Sequence, residues 1–307
     1  MRFYLILCML LIVITSSAQD IRKPSSSLAS IETHLQEITK TEKSRNYKNI
    51  KTLNYVADYI HKEFLKHCDT VYTQPYLVNG VTYKNVIGVL HPDIDELIVI
   101  GAHYDVAGSQ EGADDNASGV TGLLELSRLL ARESLNHRIE FVAYTLEEPP
   151  FFRTKQMGSY VHAKHLFDKK SKVIGMICLE MIGFFRDEEN SQQYPIPSMK
   201  SLYGSIGNYI TVVHKTDNGT FGKYFIKRTK ENQLLETKSF LGIPGVSGVD
   251  FSDHLNYWNF GYSAIMITDT AMFRNMNYHR ESDTMETLDI NKMKLVIDQL
   301  YLTVKSL

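Results

Sequence analysis

Cysteine is scarce: the 307-residue chain has three, Cys8, Cys68 and Cys178. So few cannot staple a small disulfide scaffold. At most Cys68 and Cys178 could form one bridge, and Cys178, inside the apolar run KVIGMICL, reads as a buried free thiol. An excess of basic charge is also lacking, with 33 Lys and Arg against 35 Asp and Glu and a net charge of −2. That balance excludes the basic surface that nucleic-acid binding requires. Linkers rich in Pro, Gly or Ser, internal repeats and low-complexity tracts are absent, which points to one domain of catalytic size. The N-terminal apolar run FYLILCMLLIVI has 12 residues, too short to span a bilayer comfortably. With Met1-Arg2 before it and TSSAQD after it, it reads as a secretory signal cleaved after Ala18, with Ser16 at the minus-three position. Residues 1–18 are then the signal and residues 19–307 a single domain. The product is exported to the periplasm or beyond and has no stable membrane anchor after cleavage. Cleavage removes Arg2 and no acid, so −2 becomes −3.

What is present is ordinary globular composition, 43% hydrophobic and 22% charged. SLASIETHLQEITK and NIKTLNYVADYIHKEFLKH carry apolar residues at helical spacing. VYTQPYLVNGVTYKNVIGVL alternates around Asn79-Gly80, a hairpin signal. Apolar strands then alternate with helices: ELIVIGA, ASGVTGLLELSRLLARE, RIEFVAYT, MGSYVHAKHLF and KVIGMICLEMIG. YSAIMITDT is a later strand, and INKMKLVIDQLYLTVKSL a closing amphipathic helix. This pattern predicts an α/β fold, a three-layer sandwich with a largely parallel or mixed sheet between helices.

The segment GAHYDVAGSQEGADDNASG, from Gly101 to Gly119, has no Lys or Arg, yet it holds His103, Asp105, Glu111, Asp114 and Asp115. Such concentrated negative charge calls for a cation among it. His103, Glu147, Glu148 and Glu180 follow predicted strands, Asp115 precedes a helix, and His279 lies in a loop after YSAIMITDT. Loops at the carboxyl ends of strands are where α/β sheets assemble sites. Two histidines and three carboxylates suit a pair of Zn²⁺ ions, with one carboxylate bridging and water activated between them. A further carboxylate must serve as base, and the adjacent Glu147 and Glu148 can divide that work. Asp105, two residues beyond His103, is placed to orient the other imidazole nitrogen. Asp115 also suits the N-cap of the following helix, and Asp114 could share that task.

The ordered set GAHYD, GADDNASG, EE, an acid before MIG, SDH and YHRESDT resembles the co-catalytic di-zinc aminopeptidases of the bacterial leucyl aminopeptidase and aminopeptidase Y type. Glutaminyl cyclases are their relatives, and the resemblance covers about residues 84–307. It implies a twisted, mixed sheet of about eight strands flanked by helices. It also implies two Zn²⁺ ions per chain, with Asp115 bridging, His103 and Glu148 or Glu180 as terminal ligands, and His279 as the last ligand. Glu147 would be the general base to a metal-bridged hydroxide, and the substrates would be peptides with a free N-terminus.

Three departures stand out. Glu180 replaces the Asp usual in these aminopeptidases, which keeps a carboxylate with one more methylene. The tyrosine often found shortly before SDH, which stabilises the oxyanion, is missing from IPGVSGVDFSDH, leaving that role vacant or passed to a group such as His254. His254 reads equally as structural or catalytic. PPFFRTKQM follows the glutamate pair before Gly158-Ser159, so Phe151 and Phe152 are candidates for an apolar wall at the mouth. The resemblance favours an exported zinc aminopeptidase. The alternatives are a one-zinc glutaminyl-peptide cyclotransferase and a non-catalytic binding ectodomain. The full ligand set argues against the first, and the intact base against the second.

Overall fold

The computed structural model describes residues 25–215, 219–243 and 245–307, so the predicted signal lies outside the described residues. Helix α1 (Leu28–Thr39) opens where the Ser27 side chain accepts a hydrogen bond from the Ser30 amide. Its apolar face, Ile31, Leu35 and Ile38, is fully buried, as the spacing of the sequence requires. Helix α2 (Ile50–Leu65) buries Leu53, Val56, Ala57, Ile60 and Phe64 in the same way.

Strands β1 (Thr70–Val78) and β2 (Val81–Leu90) form the expected antiparallel hairpin. Asn79 and Gly80 both have positive φ, 49° and 81°, as a two-residue hairpin turn demands. Next come β3 (Leu97–His103), α3 (Gly119–Leu130), β4 (Arg138–Tyr144), α4 (Gly158–Asp168) and β5 (Val173–Leu179), the predicted alternation. A long excursion holding the short α5 (Met199–Tyr203) leads to β6 (Ile210–His214), α6 (Phe221–Glu231) and β7 (Thr237–Leu241). The chain closes with α7 (His254–Asn259), β8 (Ala264–Thr268) and α8 (Ile290–Lys305).

The eight strands form one mixed sheet in the order β1-β2-β4-β3-β5-β8-β6-β7. Strands β4, β3, β5 and β8 run parallel, while β2 joins β4, and β6 joins β8, antiparallel. One face packs on α1, α2, α3, α6 and α8 around Ile100, Phe141, Leu123 and Ile297. The other carries a smaller core of Val99, Val142, Met176 and Trp258 beneath α4 and α7. The three-layer α/β expectation, with about eight strands, is therefore met. No element had been predicted between Glu180 and Tyr262, where α5, α6, α7, β6 and β7 lie. Their signals are weak: β6 is five residues, and the edge strand β7 has only one buried residue.

Cys68 and Cys178 are both free thiols, and Cys178 is buried. Its Sγ lies 3.1 Å from the Ser252 hydroxyl.

Candidate metal centre

The parallel strands bring their carboxyl ends to one edge of the sheet, and the candidate residues gather there. His103 is the last residue of β3 and stands in register with Tyr144, the last of β4. Glu147 and Glu148 follow β4, Glu180 follows β5, and the loop after β8 carries His279.

Asp115 lies between two groups of side chains. Its Oδ1 is 3.3 Å from His103 Nε2, which is itself 3.4 Å from Glu180 Oε2. Its Oδ2 is 3.1 Å from His279 Nε2, which is 3.2 Å from Glu148 Oε2. The two trios share Asp115. Glu147 is set back, with Oε2 3.9 Å from His103 Nε2. All are buried except His279, whose side chain is 30% exposed.

The structure also sorts the acids of the Gly101–Gly119 segment. Glu111 pairs with Lys40 at 2.8 Å. Asp114 accepts from the Gly183 amide and from Asn275 Nδ2. Asp105 accepts from the amides of Glu147 and Glu148, at 3.1 and 3.2 Å. Only Asp115, among these four, keeps both carboxylate oxygens buried without a hydrogen-bond partner, and His103 Nε2 and Glu148 Oε1 are orphaned with it. His103, Asp115 and Glu148 each offer a ligand atom, all within 4.8 Å of one another. Buried polar atoms left unpaired are costly, and a divalent cation among them would satisfy all at once. The donor set, imidazole nitrogen and carboxylate oxygen, suits zinc.

The electrostatics fit a cation as well. Burial pushes Glu148 up to about 7, helped by the charge of Asp115. Burial also raises Glu147 well above the usual carboxylate range, with Glu148 and Glu180 adding to it. Glu180 is raised by burial too. Burial opposes charge on His279, but Asp115 and Glu148 lift it to about 10. Without a metal, protons on the imidazoles or on the acids themselves must relieve this crowding of charge; a bound cation would take over that work.

Backbone supports fix Asp115. Asp283 accepts from the amides of Asp114 and Asp115, at 2.9 and 3.1 Å. Asn116 Oδ1 accepts from the amides of Gly119 and Met181, tying the start of α3 to the end of β5. The expected N-cap by Asp115 is not made; Asn116 does that work, and the Asp115–Asn116 peptide is cis. Glu180 Oε2 accepts from Ser252 Oγ at 2.6 Å, so the SDH segment supports this carboxylate.

Other expectations change. The nearest oxygen to His103 Nδ1 is the Asp105 carbonyl at 3.2 Å, with the carboxylate at 3.7 Å. Asp105 therefore orients the imidazole mainly through its backbone, because its carboxylate is turned to the two glutamate amides. His254 does not line the cavity beside the candidate ligands: its Nε2 contacts the Val249 carbonyl and its ring packs edge-on against Trp258. Phe151 packs on Tyr47 and Tyr83, away from the site.

Phe152 does line the open cavity that has Asp115, Glu147, Glu148 and His279 in its wall. Tyr278 lines it too, stacked on the His279 imidazole at 3.9 Å. This phenol immediately precedes His279, whereas the resemblance places a tyrosine upstream of SDH. A second, mainly apolar cavity adjoins the first, sharing Glu180, Phe251 and Tyr278. Its far wall comes from β6, β7 and β8 (Val213, Phe240 and Met266) and from the excursion after β5 (Met199, Tyr203).

The model of peptidase family M28 matches residues 85–304. The chain is 43% identical over 277 residues to "Uncharacterized protein YfbL" of Escherichia coli, covering 87% of this chain and 84% of that one. It is 26% identical over 226 residues to "Leucine aminopeptidase 1" of Ajellomyces dermatitidis, covering 68% of this chain and 52% of that protein. The chain thus spans about half the length of this fungal relative. LapB of Legionella pneumophila shares the fold at a TM-score of 0.71 and 21% identity, over 91% of this chain and 71% of that one. Tannerella forsythia glutaminyl cyclase shares it at 0.67 and 18%, over 92% and 100%.

Proposed function

The chain belongs to peptidase family M28, and from that membership we propose that it is a zinc-dependent aminopeptidase that removes apolar N-terminal residues from peptides. The observation that carries the reading is the pair of side-chain trios sharing the unpaired carboxylate of Asp115. His103, Asp115 and Glu180 would hold one zinc ion, and Asp115, Glu148 and His279 the other. Bound there, the ions lower the pKa of water and draw charge from the carbonyl oxygen.

The protein's own groups do the rest. Glu147 lines the cavity, and its carboxylate makes no hydrogen bond among the described residues. It takes a proton from the attacking water and returns it to the leaving amine. Its backbone is held by Asp105, which keeps this base in step with Glu148. The Tyr278 hydroxyl donates to the carbonyl oxygen, filling the role left vacant before SDH. The cavity lined by Asp115, Glu147, Glu148 and Glu180 receives the α-ammonium group. The adjoining apolar cavity receives the first side chain, in place of the wall expected from Phe151.

The chain is exported, with residues 1–18 removed and residues 19–307 acting as one unit. A mature N-terminus at Gln19 would support this, and Met1 retained on exported protein would refute it. No helix among the described residues is long and apolar enough to cross a membrane.

Three peptides test the activity, beginning with free Leu, N-acetyl-Leu and free Gln. Zinc-loaded protein should release Leu from the first and leave the second intact, and a chelator should abolish the release. Ring closure of the third with loss of ammonia, and no cleavage of any, would instead establish a cyclase. Internal cleavage of the acetylated peptide would refute both.

A further inference from the structure

The acidic segment has no cation of its own, yet it rests on one. Arg45 lies in the turn between α1 and α2, outside residues 85–304, and is only 1% exposed. Its Nε donates to the Tyr104 carbonyl at 2.8 Å and its Nη2 to the Gly112 carbonyl at 2.6 Å. Its Nη1 donates to the Glu111 carbonyl. Three guanidinium nitrogens thus hold both ends of the loop that joins His103 to Asp115.

Its neighbours act on the same loop. Asn46 Nδ2 donates to the Gly108 carbonyl at 2.8 Å, and Lys40 pairs with Glu111 at 2.8 Å. Gly112 shows how tight the fit is. Its φ is +61°, and a Cβ there would meet the Asp115 carbonyl oxygen at 2.3 Å and Arg45 Nη2 at 3.0 Å. The guanidinium therefore lies against the residue three before the bridging carboxylate. From the other side Asp283 grips the amides of Asp114 and Asp115. Asp115 is set between a cationic clamp on the carbonyls before it and an anionic clamp on its own amide.

We propose that Arg45, with Asn46, is a positioning residue that presets Asp115 to receive zinc, so that metal affinity depends on the α1–α2 turn. This rests on the metal-binding role of Asp115 given above. A planar fork with several donors can bind three carbonyls in fixed directions, whereas an ammonium on a flexible stem cannot. Groups that orient a ligand are worth roughly 10–100-fold in metal affinity.

The test is Zn²⁺ alone, titrated against a competing chromogenic chelator, on wild type, Arg45→Lys and Asn46→Ala. Temperatures are chosen at which circular dichroism shows each metal-free protein folded. Zinc binding by Arg45→Lys should weaken about tenfold or more, as expected for a group that orients a ligand, and by Asn46→Ala by less than that but more than about twofold, because it gives up one carbonyl contact where Arg45 makes three. Amide exchange should quicken at residues 104–116 while the β3 and β4 amides stay protected. A purely structural Arg45 would lower the melting temperature and leave zinc affinity within twofold of wild type, which overturns the proposal. If Arg45→Lys does not fold, Asn46→Ala decides alone, and unchanged zinc affinity in it overturns the proposal. Failure of wild type to bind zinc would overturn the metal reading itself, an outcome distinct from the other two.

Discussion

Replacing Asp105 by Asn tests how the site is held together, because the change preserves shape and removes only charge. In the native protein the two carboxylate oxygens accept the Glu147 and Glu148 amides at 3.1 and 3.2 Å, at a position 1% exposed. Hydrogen bonds to a charged group contribute about 1.5–3 kcal/mol each. Asn can keep one of the two, as a neutral bond of about 1 kcal/mol, and must turn its own N–H groups toward the other amide. A buried amide facing a donor costs a further 1–3 kcal/mol or so, which brings the net destabilisation to roughly 3–8 kcal/mol. At about 2–4 °C per kcal/mol for a domain of this size class, the metal-free protein should melt at least about 6 °C lower. Catalysis should suffer too, since the repelled amide carries either the base or a candidate ligand. A fall in kcat of about 10–100-fold on leucyl-p-nitroanilide is expected, the usual result of a displacement near 1 Å. Thermal melts and steady-state rates on zinc-loaded protein measure both. A melting temperature within about 2 °C of wild type, with unchanged kcat, would refute the claim that this carboxylate supports the glutamate pair.

The two glutamates should fail differently. Glu147→Gln removes a base and should lower kcat by about 10²–10⁴-fold while zinc content stays near wild type. Glu148→Gln should lose zinc as well, and equal metal loss in both variants would mean the roles are shared or reversed. Glu180→Asp draws the carboxylate back by a methylene and gives up the 2.6 Å bond from Ser252, so zinc at that position should bind about tenfold more weakly while activity persists, as for loss of a group that orients a ligand. Elemental analysis after gel filtration reads each result; Glu180→Ala with full metal content would remove Glu180 from the ligand set.

The order of elements was legible where burial imposes a period. Strand β3 is buried at all seven positions and α2 shows a clean helical pattern, so both can be read from apolar spacing. The ends of β3, β4 and β5 were equally legible, and with them His103, the glutamate pair and Glu180. Strands β6 and β7 were not, because ITVVH and TKSFL are too short for a period to emerge and their neighbours are polar. The apolar cavity that they wall was lost with them, which is why Phe151 was expected where Phe240 and Met266 stand. The missing segments are those that shape a pocket, and the readable ones are those that carry the sheet.

The acidic segment teaches the opposite lesson. A run of carboxylates without a basic partner suggests a metal only where the counter-charge has to be local, and here it does not. Folding brings Lys40 to Glu111 and Arg45 beneath the loop from about 60 residues upstream, and supplies backbone amides to Asp105. Once those debts are met, a single carboxylate in the segment is left without partners, and it lies between two imidazoles. What calls for a cation is therefore one buried carboxylate and not the number of acids in the segment: among the described residues, only the two imidazoles, which would themselves be ligands, approach the oxygens of Asp115.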